Sequence, residues 1–162
     1  DQAKATGTLP FGKAPVLVLD DGTALPESNA ILFHLAQGTP YWPADPLEQA
    51  QILSWMFWEQ NQHEGVIAVR AALMCYPHRR AQATPDRLAA LLDSGNALLQ
   101  IMDDHLRQRD WLVGAGCTIA DLCLYAYTHT ADSRGGYDLT PYPALRAWLA
   151  RVAALPGYQA LL

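Results

Sequence analysis

The sequence predicts an α+β/α fold in two parts, a short β-hairpin with one helix followed by an all-helical bundle. Three observations support this prediction. The strand-like run PVLVL precedes the turn dipeptide Asp21-Gly22. One helical pattern follows the hairpin directly. After Gly38 the sequence shows no further strand pattern, and segments headed by proline have the apolar spacing of helices.

The first part is a hairpin with a single helix. Its strands are predicted from Pro15 to Leu19 and from Thr23 to Leu25. The helix is predicted from Glu27 to Gln37, and Gly38 ends it. Because a two-stranded hairpin with one helix cannot bury both of its faces, it either packs on the bundle or needs further strands.

The second part follows the proline-rich segment GTPYWPADP. Asp45, Pro46 and Glu48 have the pattern of a helix start, and this long helix is predicted to reach Tyr76 with a kink at Gly65. Three more helices are predicted, from Thr84-Pro85 to about Arg109, from Thr118, and from Tyr142-Pro143 to Leu155. The second long helix is predicted to turn Leu88, Leu91, Leu92, Ala97, Leu98, Ile101 and Met102 inward. The predicted domains are 1–38 and 46–162, with a linker at 39–45.

Composition excludes several classes of partner. The chain is 51% hydrophobic and has a net charge of −5, with its Lys and Arg residues scattered, so no nucleic-acid partner is expected. No apolar run reaches the roughly 18 residues of a membrane span, and DQAKATGTLP lacks the layout of a signal peptide. Cys75, Cys117 and Cys123 form no CxxC pair, which favours a reducing, cytoplasmic location and argues against structural zinc.

Glu27 and Ser28 stand together at the predicted start of the first helix, in LPESNAILFHLA. They are typical of a helix cap, since Ser is a good N-cap and Glu suits a first turn. They are equally typical of a ligand site, because the hydroxyl and free N–H groups bind a carboxylate while the acid binds an ammonium group. The residues alone leave both interpretations open.

The tetrapeptide TIAD, from Thr118 to Asp121, has the spacing of a capping box. In such a box the acid side chain accepts a hydrogen bond from the backbone N–H of the Thr. We therefore expect Thr118 and Asp121 to have a structural role and no catalytic one.

Several of these segments together resemble cytosolic glutathione transferases. PFGKAPVLVLDDGTALPESNAILFHLA resembles the second half of their thioredoxin-like domain. YWPADPLEQAQILSWMFWEQNQHEGVIAVR, WLVGAGCTIADLCLYAY and YDLTPYPALRAWLARVAALPGY resemble their helical C-terminal domain, bacterial members in particular. The resemblance runs from Pro10 onward. It implies a partial thioredoxin-like domain, because the family's first strand, first helix and second strand have no counterpart in this sequence.

The resemblance implies a glutathione site. It places a cis-proline at Pro15, with the backbone of Ala14 pairing with the cysteinyl part of glutathione. Ser28 would receive the γ-glutamyl carboxylate, Glu27 the γ-glutamyl ammonium, and Lys13 the glycyl carboxylate. An ordinary edge-strand proline and a solvated lysine remain alternatives for Pro15 and Lys13. The family's thiol-activating Ser, Tyr or Cys lies in the segment without a counterpart, so no catalytic residue is assigned.

The resemblance also implies a pocket for the electrophile between the two parts. The candidate lining residues are Trp58, His63, Val66, Ile67, Arg70 and Tyr127. Burial in the bundle is the alternative for each of them, because stripes at helical spacing usually form core. His63 and Glu64 do not indicate a metal site, since adjacent residues do not face one another on a helix.

The expected function is glutathione conjugation to small apolar electrophiles, or related glutathione-dependent thiol or peroxide chemistry. Glutathione is the expected co-substrate, with no metal, and a homodimer is expected from the resemblance. The alternative is a protein of this family that binds glutathione or a protein partner without turnover, because a fold does not determine an activity.

Overall fold

The computed structural model describes residues 11–160, and its element order confirms the predicted fold class. β1 spans Val16–Val18 and β2 spans Ala24–Pro26. The helical elements are α1 (Ser28–Ala36), α2 (Pro46–Trp58), a π-helical segment (Glu59–Ala68), α3 (Val69–Cys75), a 3-10 segment (Pro77–Gln82), α4 (Pro85–Leu106), α5 (Ile119–Thr128) and α6 (Pro143–Ala153). Pro10, the segment DQAKATGTLP and the last two residues of the predicted second domain lie outside the described residues.

The hairpin is tied to the bundle through α1. β1 and β2 pair antiparallel, and the turn between them is fixed by Asp21 Oδ1, which accepts a hydrogen bond from Thr23 N–H at 2.9 Å. α1 contacts both strands on one side and α5 on the other. Ala36 is buried in the main core and Leu32 packs against it. Among the described residues the hairpin reaches the bundle through α1, and its strand residues are half-buried or exposed. The need for further strands stays a prediction.

The linker packs on the bundle as well. The carbonyl oxygen of Tyr41 accepts a hydrogen bond from Ile119 N–H at 3.1 Å, at the start of α5. Trp42 packs edge-on against Phe33 of α1, with ring centroids 4.9 Å apart. These contacts fix α1 relative to α5. The division into domains at residues 38 and 45 stays a prediction.

The core lies among the bundle helices, where α4 packs on α6 and α2 packs on α5. Its largest fully buried apolar side chains come from all four of these helices and include Trp148, Ile52, Leu99, Met102, Leu124 and Leu145. Burying side chains of this size stabilises the fold by about 1.5 to 3 kcal/mol each. The bundle is thus the stable platform on which the hairpin and α1 rest.

The predicted long helix from Asp45 to Tyr76 is interrupted by the π-helical segment. This segment contains Gly65, the residue at which a kink was predicted. Residues four apart share one face of a helical segment, and Glu59, His63 and Ile67 on this face are all buried. Two of these three side chains are polar, and their burial follows from the packing of this segment against α4 and α5.

The inward face of α4 differs from the predicted one at two positions. Ala97 and Ile101 are exposed, Ile101 to 47%. The face toward the bundle is made instead by Gly95, Leu98, Leu99, Met102, Asp103 and Leu106. The ring of Tyr137 packs directly over Gly95, where a side chain would overlap it. This close packing orients the helix so that Ala97 and Ile101 face outward.

Candidate functional site

The open end of the hairpin brings together the residues predicted to bind glutathione. Val16 lies opposite Pro26 in the antiparallel ladder. This is the last pair of the ladder, so Ala14 and Pro15, just before Val16, and Glu27 and Ser28, just after Pro26, all adjoin it in the chain. Ala14 and Pro15 are joined by a cis peptide bond. Two segments that are more than ten residues apart in sequence therefore end at one place.

Glu27 and Ser28 form an uncapped helix start at this end. Glu27 is the residue before the helix and has φ +74°, an unusual value for a residue with a side chain. No side chain accepts a bond from the first turn of α1, and both residues are exposed. Ser28 is the first residue of the helix and not its N-cap. The hydroxyl, the carboxylate and the N–H groups of the first turn therefore remain open to a ligand.

Lys13 comes directly before the cis-linked pair Ala14-Pro15 and is exposed. It forms no ion pair with any residue between 11 and 160. Its ammonium group is consistent with either a solvated lysine or a contact to a ligand carboxylate, so its role stays a prediction.

A set of polar side chains extends from the buried Glu59 to Tyr127. Glu59 Oε2 accepts a hydrogen bond from Cys123 Sγ at 3.5 Å. Gln60 Nε2 donates to Glu59 Oε2 at 2.7 Å and to Glu64 Oε2 at 3.0 Å. Tyr127 donates from its hydroxyl to Glu64 Oε1 at 3.3 Å. Burial raises the pKa of Glu59, and the bond from Gln60 opposes that shift.

This polar set ends at a cavity of about 480 Å³ between the π-helical segment, α3 and the end of α5. The volume suits a small organic molecule. Gln60, Glu64 and Tyr127 line one end of it, and small side chains such as Ala68 and Ala72 form its middle. Cys75, Tyr76, Arg79 and Arg134 line the far part. Among the described residues no cluster of three or more His, Cys, Asp or Glu could hold a metal ion.

Of the six residues predicted for the electrophile pocket, Tyr127 lines this cavity. Trp58 packs edge-on against Trp55 with centroids 5.4 Å apart, and Val66 is half-buried. Ile67, His63 and Arg70 are buried in the bundle. For these three the structure shows the core position that the sequence left open as the alternative.

His63 and Arg70 use their polar atoms inside the protein. Arg70 donates from Nε to the carbonyl oxygen of Gly135 at 2.7 Å and from Nη1 to that of Leu88. The Thr128 hydroxyl donates to Leu124, so it accepts from His63 Nε2–H at 3.1 Å. His63 Nδ1 has no partner among the described residues. Burial lowers the pKa of His63 to about 4, which keeps the imidazole neutral at pH 7.

Sequence reasoning missed Gln60, Glu64, Ala68, Ala72 and Cys75 as cavity residues. Their spacing of three or four residues is a signal that was present in the sequence. Polar and small side chains recur on one face of the predicted helix, where a core stripe would have large apolar ones. Arg134 follows α5 in a loop, and no local pattern marks it.

The capping box at the start of α5 is present and serves a larger network. Asp121 Oδ2 accepts from Thr118 N–H at 2.9 Å and from the Thr118 hydroxyl at 3.1 Å. Its other oxygen, Oδ1, accepts from Leu112 N–H at 3.0 Å and Trp148 Nε1–H at 2.8 Å. Burial raises the pKa of Asp121, and these hydrogen bonds act against that shift. The carboxylate thus joins α5 to α6 and to the preceding loop.

Comparisons with solved structures show the same architecture. A glutathione S-transferase from Xanthobacter autotrophicus Py2 is 48% identical with a TM-score of 0.89, covering 97% of this chain and 76% of that one. One from Pseudomonas fluorescens is 41% identical with a TM-score of 0.90, covering 98% and 79%. A sphingomonad glutathione S-transferase complexed with glutathione is 28% identical with a TM-score of 0.76, covering 94% and 73%.

Two further relatives have different functions, and this chain matches a different share of each. The disulfide-bond oxidoreductase YfcG of Escherichia coli is 29% identical, over 94% of this chain and 73% of that protein. Elongation factor 1-gamma of Artemia salina is 32% identical, over 77% of this chain and 29% of that protein.

Within residues 11–160, no helix has the length and hydrophobicity needed to cross a membrane.

The family model described as "Glutathione S-transferase, C-terminal domain" matches residues 66–156, which is more than half of the chain. The matched part begins in the π-helical segment and ends after α6, so it contains the capping box and most of the cavity lining. The hairpin and α1 lie before it, and the solved structures cover both parts together. This chain therefore belongs to the glutathione S-transferase family.

Proposed function

We propose that this protein binds glutathione at the open end of the hairpin and transfers its thiol to an electrophile held in the neighbouring cavity. One observation supports this most strongly. The last strand pair, Val16 with Pro26, brings Ala14-Pro15 and Glu27-Ser28 to the same end of the hairpin, and Glu27 and Ser28 are exposed there with no side-chain cap. α1 also contacts α5, whose Tyr127 lines the cavity.

Each group at the hairpin end has a distinct role in this proposal. The Ser28 hydroxyl and the first N–H groups of α1 receive the γ-glutamyl carboxylate, which a helix N-terminus favours. The Glu27 carboxylate holds the γ-glutamyl ammonium. The backbone of Ala14 pairs with the cysteinyl part of glutathione, while Lys13 approaches the glycyl carboxylate. The tripeptide is thereby held at three separate points.

The chemistry is a thiol transfer. The sulfur attacks the electrophilic carbon, a C–S bond forms, and the leaving group departs with the bonding electron pair while the thiol proton passes to solvent. A free thiol with a pKa near 8.5 is mostly protonated at pH 7, so a group that stabilises the thiolate is needed. Glu27, Ser28 and Ala14 position glutathione and do not supply that group.

A binding protein without turnover is the second candidate. Two side chains that could have stabilised a thiolate are already engaged within the bundle. The Tyr127 hydroxyl donates to Glu64, and His63 Nε2–H donates to Thr128. Burial, and then the charge of Glu64, raise the pKa of Tyr127 to about 12. Because both groups already form these hydrogen bonds, the second candidate is favoured if no other group faces the glutathione sulfur.

We also propose a homodimer in the cytoplasm. Large apolar side chains are exposed on two bundle helices, with Leu47 and Phe57 of α2 each 67% exposed and Ile101 of α4 47% exposed. Exposed apolar side chains of this size suit an interface between subunits. The three cysteines are free thiols, which is typical of a reducing compartment. Light scattering at micromolar concentration tests the dimer, and a monomer would contradict it.

The proposed function is tested on the full-length protein by calorimetric titration with glutathione and by turnover of a chromogenic aryl halide. Ser28→Ala removes a hydrogen bond to a charged carboxylate, so we expect affinity to fall roughly ten- to hundredfold, or about 1.5 to 3 kcal/mol. Ser54→Ala, exposed on α2, is the control and should bind like the wild type. Unchanged affinity in Ser28→Ala would refute the site. Binding without turnover would establish the second candidate.

A further inference from the structure

The cavity has a basic part formed by Arg79 and Arg134. Arg79 belongs to the 3-10 segment and Arg134 to the loop after α5, and both line the cavity. Cys75 Sγ lies 3.7 Å from the carbonyl oxygen of Arg134, which places that loop beside the end of α3. The two arginines therefore approach the same end of the cavity from opposite sides.

Neither guanidinium group has a partner within residues 11–160. Arg79 and Arg134 donate no side-chain hydrogen bond there and form no ion pair. A smaller cavity provides the contrast, because two of the three arginines that line it are ion-paired. Arg107 lies 3.0 Å from Asp104 and Arg151 lies 3.0 Å from Asp110. The larger cavity thus holds two unpaired positive charges, whereas the chain as a whole has a net charge of −5.

The other end of the cavity is acidic, and α5, which lines this end through Tyr127, also contacts α1. Glu64 is its charged residue, and Gln60 and Tyr127 hydrogen-bond the Glu64 carboxylate. The helix between Glu64 and Cys75 exposes small side chains to the cavity, including Ala68 and Ala72. At a rise near 1.5 Å per residue this helix separates the two ends by about 15 Å. The cavity is therefore elongated, with a weakly apolar middle.

We propose that the second substrate of this enzyme is an elongated amphiphile with an anionic group, a carboxylate for instance, bound by Arg79 and Arg134. Its apolar body lies along the alanine face, and its electrophilic carbon points toward α1. This inference rests on the proposed function and refines the expected apolar electrophile. Arginine suits the role because its planar donors match a carboxylate.

The test uses two electrophiles of the required length that differ only in charge. These are 4'-(chloromethyl)biphenyl-4-carboxylate and the neutral 4'-(chloromethyl)biphenyl-4-carboxamide. In each reaction the glutathione sulfur bonds to the benzylic carbon, chloride leaves with the bonding pair, and the thiol proton goes to solvent. The full-length wild type should show a lower KM for the carboxylate than for the amide.

Arg79→Gln and Arg134→Gln should each raise the KM for the carboxylate about tenfold, because a charge-assisted contact far from the reacting carbon is lost. The KM for the amide and both kcat values should change little. Arg80→Gln is the matched control, since it removes the same charge from the same exposed segment and does not line the cavity. Equal KM values for the two electrophiles in the wild type, or an equal effect of Arg80→Gln, would overturn the proposal.

A binding measurement separates this proposal from the proposed function. The unreactive 4'-methylbiphenyl-4-carboxylate and its carboxamide are titrated against the same variants without glutathione. A preference for the carboxylate that disappears in Arg79→Gln and Arg134→Gln supports the anion site even where conjugation is absent. No preference would overturn the anion site even where conjugation of neutral electrophiles is observed.

Discussion

The starts of α1 and α5 use similar residues in opposite ways. Both helices begin with an acid and a hydroxyl close together, Glu27 with Ser28 and Asp121 with Thr118. At α5 both side chains are buried, Thr118 to 4% exposure and Asp121 to 0%. At α1 both are exposed, and no side chain caps the helix. The same two residue types therefore stabilise the fold at the start of α5 and leave free polar groups at the start of α1.

The difference lies in what the polar groups contact. The Asp121 carboxylate accepts bonds from Thr118, Leu112 and Trp148, so it has little capacity left for a ligand. Glu27 has no comparable contacts and holds a backbone conformation that side chains disfavour. A helix start whose groups are satisfied within the protein contributes to stability. One whose groups remain free, with strain in the backbone, is suited to binding.

The largest effect is expected from Asp121→Ala. The substitution leaves the N–H groups of Leu112, Thr118 and Trp148 buried without an acceptor, and each such group is costly. We expect the free energy of unfolding to fall by about 3 kcal/mol or more, measured by chemical denaturation. Folded protein should still bind glutathione normally. A melting curve like that of the wild type together with lost binding would reverse the assignments of the two helix starts.

Asp93→Ala provides the control for this experiment. Asp93 is exposed on α4 and has no hydrogen-bond partner within residues 11–160. Its replacement should change the free energy of unfolding by less than about 0.5 kcal/mol. An equal loss in both variants would mean that the effect of Asp121 comes from net charge and not from its buried bonds.

The sequence predicted the capping box but not the extent of its network. TIAD is a local pattern, so its spacing alone indicates the contact between Thr118 and Asp121. The contacts to Leu112 and Trp148 bring together three elements, and no local pattern encodes them. The hairpin, the helices and the Glu27-Ser28 pair were predictable because they too are local patterns. The cavity was not, because Arg79 and Arg134 come to line it together only through the packing of the π-helical segment on α5.

The π-helical segment shows a second limit of local patterns. Glu59 and His63 are buried in this segment, whereas polar residues in a helical pattern are ordinarily predicted to face outward. Their burial comes from the packing of this segment against α4 and α5. Their pKa shifts, in turn, come from that burial and are not visible in the sequence.

Lowering the pH is expected to have an intermediate effect on the free energy of unfolding, through the buried His63. Burial lowers the pKa of His63 to about 4, while the unfolded chain has a value near 6.5. Between these values the unfolded state binds more protons, so stability is complete above pH 6.5 and is lost as the pH falls toward 4. From pH 8 to pH 5 we expect a loss of about 2 kcal/mol from this residue, measured by denaturation at each pH.

His63→Gln isolates this contribution. Glu59 and Asp121 have raised pKa values and act in the opposite sense, since their folded forms favour the proton. The difference between wild type and His63→Gln should therefore shrink by the stated amount between pH 8 and pH 5. His34→Gln, at an exposed position on α1, is the control for replacing a histidine by glutamine. A constant difference across this range would show that His63 titrates normally.

The smallest effect, of opposite sign, is expected from Glu27→Gly at the open helix start. Glycine adopts a φ of +74° without the penalty that a side chain incurs, so the free energy of unfolding should rise by about 1 kcal/mol. The same change removes the carboxylate proposed to hold the γ-glutamyl ammonium, so glutathione affinity should fall about tenfold. Glu27→Gln keeps the strain and removes only the charge, so it should weaken binding without raising stability. Denaturation and calorimetric titration of both variants measure the two effects separately. Higher stability with unchanged affinity in Glu27→Gly would mean that the strain at this helix start does not serve ligand binding, and the contrast with α5 would lose its functional meaning.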